Sequence, residues 1–330
     1  MMRKHLLAIA VILTAATGCD NVAWGGIEVE LRPPPISDTA AATANTVDDT
    51  VAVVKVPGPL LLAGERTGER ADFVIVGELL AARLSPFPDP DVPSDATRLA
   101  ELSTPGSEWV VYSEGVRVGR MTVEATSPAE PYCGDRLTLS GTVELVPSAA
   151  TAVRLLALPS TDGEIDPYGA YQQHADVYDQ RVATLQIAGE AIPRYGESWP
   201  AGGVLSLRED IQAFQPADAS APWVAATFVN QDLLGVASPG QGAYSLFVVA
   251  RPEAGGELAE AFTWFRSVES EGKAIPQYHD HLDWDDDGQD EILLDVFGAN
   301  RRWFATLDRL DGRLIRAFED PCGSGAAPSN

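Results

Sequence analysis

The sequence predicts a mainly β protein of antiparallel sheets, arranged as a sandwich or as partial propeller-like blades, with one or two helices. Two observations lead to this fold class. From residue 51 onward, short β-prone runs such as VAVVKV, EWVVYS and RLTLSGTVELV are separated by Gly, Pro and Asp. From Trp223 onward the pattern returns in WVAATFV, AYSLFVVAR, EILLDVF and RRWFATLD. Strands bounded by turn residues therefore occupy most of the chain.

A helix is expected between these two groups of strands. Asp166 is placed to cap its N-terminus, Pro167 fits its first turn, and apolar residues then recur at steps of three and four until Gly189. A second short helix is expected at residues 205–214. Within the first group of strands, the sequence SEG at residues 113–115 predicts a hairpin turn.

The chain divides into four predicted segments. Residues 1–19 are an export signal, and residues 20–50, rich in Pro, Ala, Thr and Asp, are a tether. Residues 51–160 form a β-rich domain, and residues 161–330 form a mixed and then β-rich domain. The length of the body is enough for one large or two medium domains.

The first 19 residues combine a basic start, an apolar stretch and small residues before Cys19, and they are too short to span a membrane. The ending Ala-Thr-Gly-Cys resembles a bacterial lipobox, which implies that Cys19 becomes a diacylglyceryl-modified, acylated N-terminus carrying palmitate-type chains. Two or three acyl chains anchor a protein stably. The resemblance therefore predicts a membrane-anchored lipoprotein of the bacterial cell envelope, on the periplasmic or cell-surface side; the alternative is ordinary secretion.

The formal net charge of −25 at pH 7 restricts the possible partners. Such a surface repels the phosphates of nucleic acids, so we expect no nucleic-acid partner. It suits divalent cations or basic partners.

Two cysteines remain after Cys19, namely Cys133 and Cys322. An isolated pair in an oxidising compartment predicts a disulfide, which would close a loop of about 190 residues and contribute roughly 5 kcal/mol in the chain-entropy model. Two free buried thiols are the alternative.

The segment DWDDDGQDE at residues 283–291 places acids at loop positions 1, 3, 5 and 9 and a glycine at position 6. Bringing these carboxylates together is costly, because a like-charged pair at about 4 Å costs roughly 4 kcal/mol at an effective dielectric near 20. Alternating hard oxygen ligands and a glycine turn suit Ca²⁺ better than Mg²⁺ or a transition metal. The predicted ligands are the side chains of Asp283, Asp285, Asp287 and Glu291 and the carbonyl of Gln289.

Position 12 of this loop is Leu294, where an EF-hand needs a glutamate. The apolar run ILLDVF, which follows the last acid of the loop at residues 292–297, is β-prone rather than helical. The pattern D-x-D-x-D-G-x-D-E before a strand resembles the calcium loops of FG-GAP and VCBS-type repeats. That resemblance covers residues 274–320 and implies a loop between the first two strands of a propeller blade, with Asp286 and Asp290 facing solvent. A degenerate second blade is expected at residues 223–267. The implied role of the ion is structural.

Three alternatives accompany this hypothesis. The acidic segment can instead be a solvated turn of an acidic protein. His279 and His281 would face the same side of a strand and could form an H-x-H metal pair with neighbouring acids. Asp162, Glu164 and Asp166 alternate like a second cation loop, although helix capping accounts better for Asp166.

For function, the sequence favours a non-enzymatic, calcium-stabilised envelope module that contacts another protein or a glycan. Trp284, at loop position 2, is the aromatic residue expected near the surface for such a contact. The alternative is a hydrolase of an envelope polymer that uses paired carboxylates as acid and base. The sequence contains no G-x-S-x-G, Walker or G-x-G-x-x-G motif.

Overall fold

A computed structural model of the chain describes residues 57–81, 83–88, 93–134, 136–160 and 168–323. These residues belong to one compact unit. The predicted export signal, the lipidated Cys19, the tether and the acidic residues Asp162, Glu164 and Asp166 lie outside the described residues. No helix in the described ranges is both long and apolar enough to cross a membrane.

The prediction of a mainly β fold with few helices is confirmed, since antiparallel strands dominate the described residues. The strands are β1 Leu60–Thr67, β2 Arg70–Leu80, β3 Arg83–Ser85, β4 Glu108–Ser113, β5 Val116–Pro128, β6 Leu137–Leu145, β7 Arg154–Pro159, β8 Arg208–Phe214, β9 Trp223–Asn230, β10 Tyr244–Pro252, β11 Leu258–Ser267, β12 Ile275–Leu282, β13 Glu291–Phe297, β14 Arg302–Leu310 and β15 Arg313–Glu319. The helices are α1 Pro93–Leu102, α2 Tyr178–Arg194 and the single turn α3 Val268–Glu271.

The first seven strands form a closed barrel with one extra strand at its side. The order β1-β7-β4-β5-β6-β2 closes because β2 also pairs with β1, and β3 adds to β2. Successive side chains of a strand face opposite sides of the sheet. Leu60 and Leu62 accordingly pack in one core with Phe73 and Trp109, whereas Leu61 packs in a different cluster on the other face.

The remaining strands form two four-stranded antiparallel meanders, β8 to β11 and β12 to β15. One hydrophobic core joins the β8–β11 meander, called here the first sheet, to the β12–β15 meander, called the second sheet. Phe247 and Trp264 of the first sheet share this core with Ile292 and Trp303 of the second. The two sheets therefore pack face to face, as the two layers of a sandwich do.

Each meander has a further layer on its other face. The barrel packs on the second sheet, where Leu61 and Leu156 share a cluster with Leu293 and Phe304. Helix α2 covers the first sheet through its buried side chains, which include Ala188, Ala191 and Ile192. Because β13 lies between the barrel and the first sheet, all seven of its residues are buried.

The predicted helix boundaries are wrong. Helix α2 begins at Tyr178 rather than next to Asp166, because Val177 is extended and its N–H donates to the Gln180 side chain at 2.9 Å. The helix continues past Gly189, since its buried residues beyond that point pack on the sheet. The expected helix at residues 205–214 is instead the 3-10 turn Val204–Leu207 followed by β8, which pairs with β9.

Two local features of the first group of strands have different outcomes. The hairpin turn at residues 113–115 is confirmed, because β4 and β5 pair across it and Glu114 and Gly115 have φ values of 52° and 72°. Helix α1 was not predicted, although Pro93 at its start and Asp95 in its first turn are typical helix-start signals.

A disulfide joins Cys133 to Cys322, with their Cα atoms 6.3 Å apart and 189 positions apart in sequence. It fastens the segment after β15 to the barrel. Beside it the buried Arg136 donates to both carboxylate oxygens of Asp320, at 2.9 and 2.6 Å, and to the carbonyl oxygens of Ile75 and Val76. The segment just after β15 is therefore held by both a covalent bond and a buried ion pair.

Candidate metal centre

The acidic loop connects β12 to β13, the first two strands of its sheet. The chain reverses sharply here, and Asp286 and Gly288 have left-handed φ values of 62° and 85°. Glycine adopts this conformation without steric cost, and aspartate is among the few other residues that do so readily. The local sequence therefore fits the tight reversal that brings alternate side chains to one side.

Three of the predicted ligands converge. Asp283, Asp285 and Asp287 each place one carboxylate oxygen within 4.8 Å of the others. Asp283 and Asp285 are half-buried, whereas Asp287 is exposed. Carboxylate oxygens gathered around one point are the ligands that Ca²⁺ prefers.

Backbone amides fix the orientation of these carboxylates. Asp283 accepts hydrogen bonds from the N–H of Asp287 at 3.1 Å and from that of Gly288 at 2.8 Å. Asp287 in turn accepts from the backbone N–H of Gln289 at 2.8 Å and from its side-chain amide at 3.1 Å. A carboxylate has about four acceptor sites, so each can hold an amide and still coordinate a cation.

Glu291, the fourth predicted side-chain ligand, lies on the buried side of the loop. It is 4% exposed, and its Oε2 accepts the N–H of Trp284 at 3.1 Å. The pKa of Glu291 is raised to about 8, chiefly by burial and also by the negative charges of Asp285, Asp308 and Asp283, while the hydrogen bond from Trp284 opposes the shift. A nearby cation would favour the charged form of this carboxylate.

Asp308 of β14 is an acid of this site that sequence reasoning missed. Its charge raises the pKa values of both Glu291 and Asp285, although burial is the largest cause for each. The pair Ile292 with Leu307 ends the register of β13 with β14, so Asp308 lies opposite Glu291 one step beyond it. Only the strand pairing brings Asp308 to the loop, and no local motif signals it.

The two acids expected to face solvent behave differently. Asp286 is exposed, as predicted. Asp290 is not: it is 3% exposed, accepts the N–H of Ala217 at 2.7 Å, and lies 3.6 Å from Nε2 of His281. The prediction for Asp290 is wrong because this carboxylate anchors the loop to the segment after β8.

The structure also argues against the alternative of an H-x-H metal pair. A β-bulge between Tyr278 and Asp280 breaks the alternation of β12, so the two rings do not share a face. The Nε2 atom of His279 lies 3.3 Å from the carbonyl oxygen of Leu155, while that of His281 lies 3.2 Å from the carbonyl oxygen of Gln215. Burial lowers the pKa of each histidine to about 4, so both are neutral hydrogen-bonding groups.

Trp284 is half-buried and packs against the cluster of Leu282, Leu293 and Phe304. Much of its ring therefore contributes to the junction between the barrel and the second sheet. More exposed aromatic side chains lie elsewhere in the described part of the chain: Tyr168, Tyr178, Tyr195 and Trp199.

No protein-family model matches the chain, and no curated protein and no solved structure is significantly similar to it. The described residues form a β-barrel packed on a pair of four-stranded sheets, with a carboxylate loop between two strands. The resemblance of that loop to FG-GAP and VCBS-type repeats stays a prediction based on its residues.

Proposed function

We propose that the chain is a lipid-anchored protein of the bacterial cell envelope, a non-enzymatic and calcium-stabilised β-rich module that contacts a protein or a glycan. The observation that supports it most is the convergence of Asp283, Asp285 and Asp287 within 4.8 Å, with the buried Glu291 beside them. A divalent cation would replace the mutual repulsion of these carboxylates by attraction.

The position of the loop favours a structural role for this ion. The loop joins two strands, and β13 is buried between the barrel and the first sheet. An ion held by side chains from both ends of the loop would fix the start of β13, and through it the contact of three sheets. A ligand that binds the folded state but not the unfolded state raises the free energy of unfolding by RT ln(1 + [L]/Kd).

The envelope location rests on the export signal and on the lipobox that ends at Cys19. The disulfide between Cys133 and Cys322 fits an oxidising compartment. Extracellular calcium modules bind with dissociation constants of about 10⁻⁴ to 10⁻³ M, which suits a compartment open to external calcium.

The contact role is supported by surface chemistry. The net charge of −25 favours basic or cation-bridged partners over polyanions. Around α2 the exposed side chains include Tyr178, Tyr195 and Trp199. Aromatic rings with a polar edge are enriched where proteins meet partners.

The alternative predicted from the sequence, a polymer hydrolase, requires paired carboxylates in an open cleft. Among the described residues, Glu114 and Asp280 line one cavity of 250 Å³. Sites for drug-sized ligands occupy about 300–1,000 Å³, so this cavity is too small for a polymer segment. Among the described residues, a larger groove of 850 Å³ beside α2 is also lined by acids, but Asp179, Glu190 and Glu260 are all exposed, so no carboxylate pair is enclosed there. We therefore favour a binding role over hydrolysis.

Isothermal titration calorimetry tests the calcium site on the full chain in detergent after EDTA treatment. The wild-type chain is expected to take up Ca²⁺, and Asp287→Asn is expected to weaken that uptake strongly. Asp286→Asn is the matched control, because it removes the same charge from an exposed neighbour outside the converging set. Equal uptake by wild type and Asp287→Asn would refute the site.

A further inference from the structure

We propose that a cavity between β12 and the β4–β5 turn binds a second divalent cation, independent of the acidic loop, through Glu114 and Asp280. The cavity measures 250 Å³, and both carboxylates line it together with Ser113, Arg154, Tyr171 and Gln212. No residue of the loop at 283–291 contributes to this lining.

Asp280 is fixed in place with one oxygen free. It is 2% exposed, and its Oδ1 accepts the backbone N–H of His281 at 2.8 Å and that of Glu114 at 3.0 Å. Its Oδ2 is buried and has no hydrogen-bond partner among the residues that the structure describes. A buried carboxylate oxygen without a partner is costly, and a cation in the cavity would satisfy it.

The backbone is irregular at both residues. Asp280 follows the β-bulge in β12, a feature that redirects side chains. Glu114 has a φ of 52°, a left-handed conformation that glutamate rarely adopts, and the next residue, Gly115, donates to the carbonyl oxygen of His281 at 3.1 Å. The docked turn thereby holds Glu114 against Asp280, and within the described part of the chain Oε2 of Glu114 is also buried without a hydrogen-bond partner.

The charges around the cavity leave a negative excess. Arg154 donates to the carbonyl oxygen of Tyr278 at 2.9 Å and lies 3.9 Å from Asp210. The charge of Arg154 also acts on Glu114 and Asp280, so these two carboxylates and that of Asp210, which lies outside the cavity lining, share one guanidinium. When all three are ionised, the excess equals the charge of one divalent cation. His279, which also lines the cavity, adds no charge because burial lowers its pKa to about 4.

The pKa values of the two acids are consistent with this excess. Burial raises the pKa of Glu114 to about 7, while Arg154 opposes the shift. Burial also raises the pKa of Asp280 well above its usual range, and the charge of Glu114 adds to the effect. A bound cation would lower both pKa values and favour the ionised form of the two carboxyls.

The size of the cavity indicates a partly hydrated ion. Each water takes about 30 Å³ in the liquid, so 250 Å³ has room for an ion with several waters. Mg²⁺ keeps much of its water and binds through one or two carboxylates, and Mn²⁺ shares its preference for oxygen ligands.

Equilibrium dialysis of the full, EDTA-treated chain against Mn²⁺ tests the proposal. The wild-type chain is expected to bind two ions, Glu114→Gln one, Asp287→Asn one, and the double variant none. Glu101→Gln, an exposed position on α1, is the control and should bind two. If Asp287→Asn bound no ion, the cavity site would be overturned and the loop site would stand. If Glu114→Gln bound no ion, the proposed cation site in the loop would be contradicted instead.

A second measurement does not depend on the folding of a variant. Crystals of the wild-type protein soaked in Mn²⁺ should show one anomalous peak beside Oδ2 of Asp280, apart from any peak at the loop. A peak at the loop alone would overturn the proposal.

Discussion

Replacing Asp285 with asparagine is expected to change the stability of the protein in opposite directions with and without calcium. In EDTA the variant should be more stable than the wild type, because one of three converging negative charges is removed. In calcium it should be less stable, because an ion ligand is weakened. Asparagine keeps the oxygen that accepts the N–H of Asp287 at 3.2 Å, so the loop should retain its shape.

The distances in the loop set the size of the effect. Two unit charges 4.8 Å apart repel by about 3.5 kcal/mol at an effective dielectric of 20 and by about 1 kcal/mol in water. Because Asp287 is exposed and Asp283 is only half-buried, the lower figure applies to each pair. Removing the repulsion of Asp285 by both neighbours should therefore raise the free energy of unfolding by about 1–2 kcal/mol in EDTA. In calcium at about 100 times its dissociation constant, the wild type gains roughly 2.7 kcal/mol, most of which the variant should lose.

Urea unfolding at low ionic strength, with EDTA or with millimolar calcium, measures both arms, since salt screens the repulsion. Asp286→Asn is the control: it should gain stability in calcium as the wild type does, so its difference from the wild type should be nearly the same in both conditions. A loss of stability of the same size in EDTA and in calcium would refute the reasoning, because it would mean that Asp285 acts only through local hydrogen bonds.

Three further predictions concern the core, the pH dependence and the anchor. Asp320→Ala should cost about 3–5 kcal/mol in urea unfolding, because it leaves the buried Arg136 without its counter-charge; a loss below about 1 kcal/mol would contradict this. His279 has a folded pKa of about 4, below its unfolded value, so its contribution to stability is full above pH 6.5 and falls by about 3 kcal/mol as the pH drops to 4. His279→Gln should flatten that part of the stability profile, and an unchanged profile would count against it. Cys19→Ser should move the protein from the membrane to the soluble fraction after cell fractionation, whereas unchanged membrane association would contradict lipidation.

Local patterns were enough for the fold class and for the acidic loop. Alternating runs and their turns are properties of neighbouring residues, which is why the mainly β fold and the turn at residues 113–115 were predicted. Likewise Asp283, Asp285 and Asp287 lie within one turn of chain, so their spacing alone brings them together.

Local sequence patterns did not predict the contacts between segments that are distant in the chain. The barrel closes through the pairing of β1 with β7 and β2, which no short motif specifies. Asp308 reaches the loop only through the register of β14, and Asp290 is buried only because the segment after β8 packs on it. The bulge in β12 keeps the rings of His279 and His281 from sharing a face of the sheet. One extra residue in a strand moves every later side chain to the opposite face, and no local pattern signals it.

A crystal structure of the protein grown in calcium tests the central claim most directly. One ion is expected between β12 and β13, with oxygens of Asp283, Asp285 and Asp287 at about 2.3–2.6 Å and the Glu291 carboxylate beside it. Carboxylates that keep their hydrogen bonds to the loop amides and turn to solvent, with no ion among them at millimolar calcium, would contradict it.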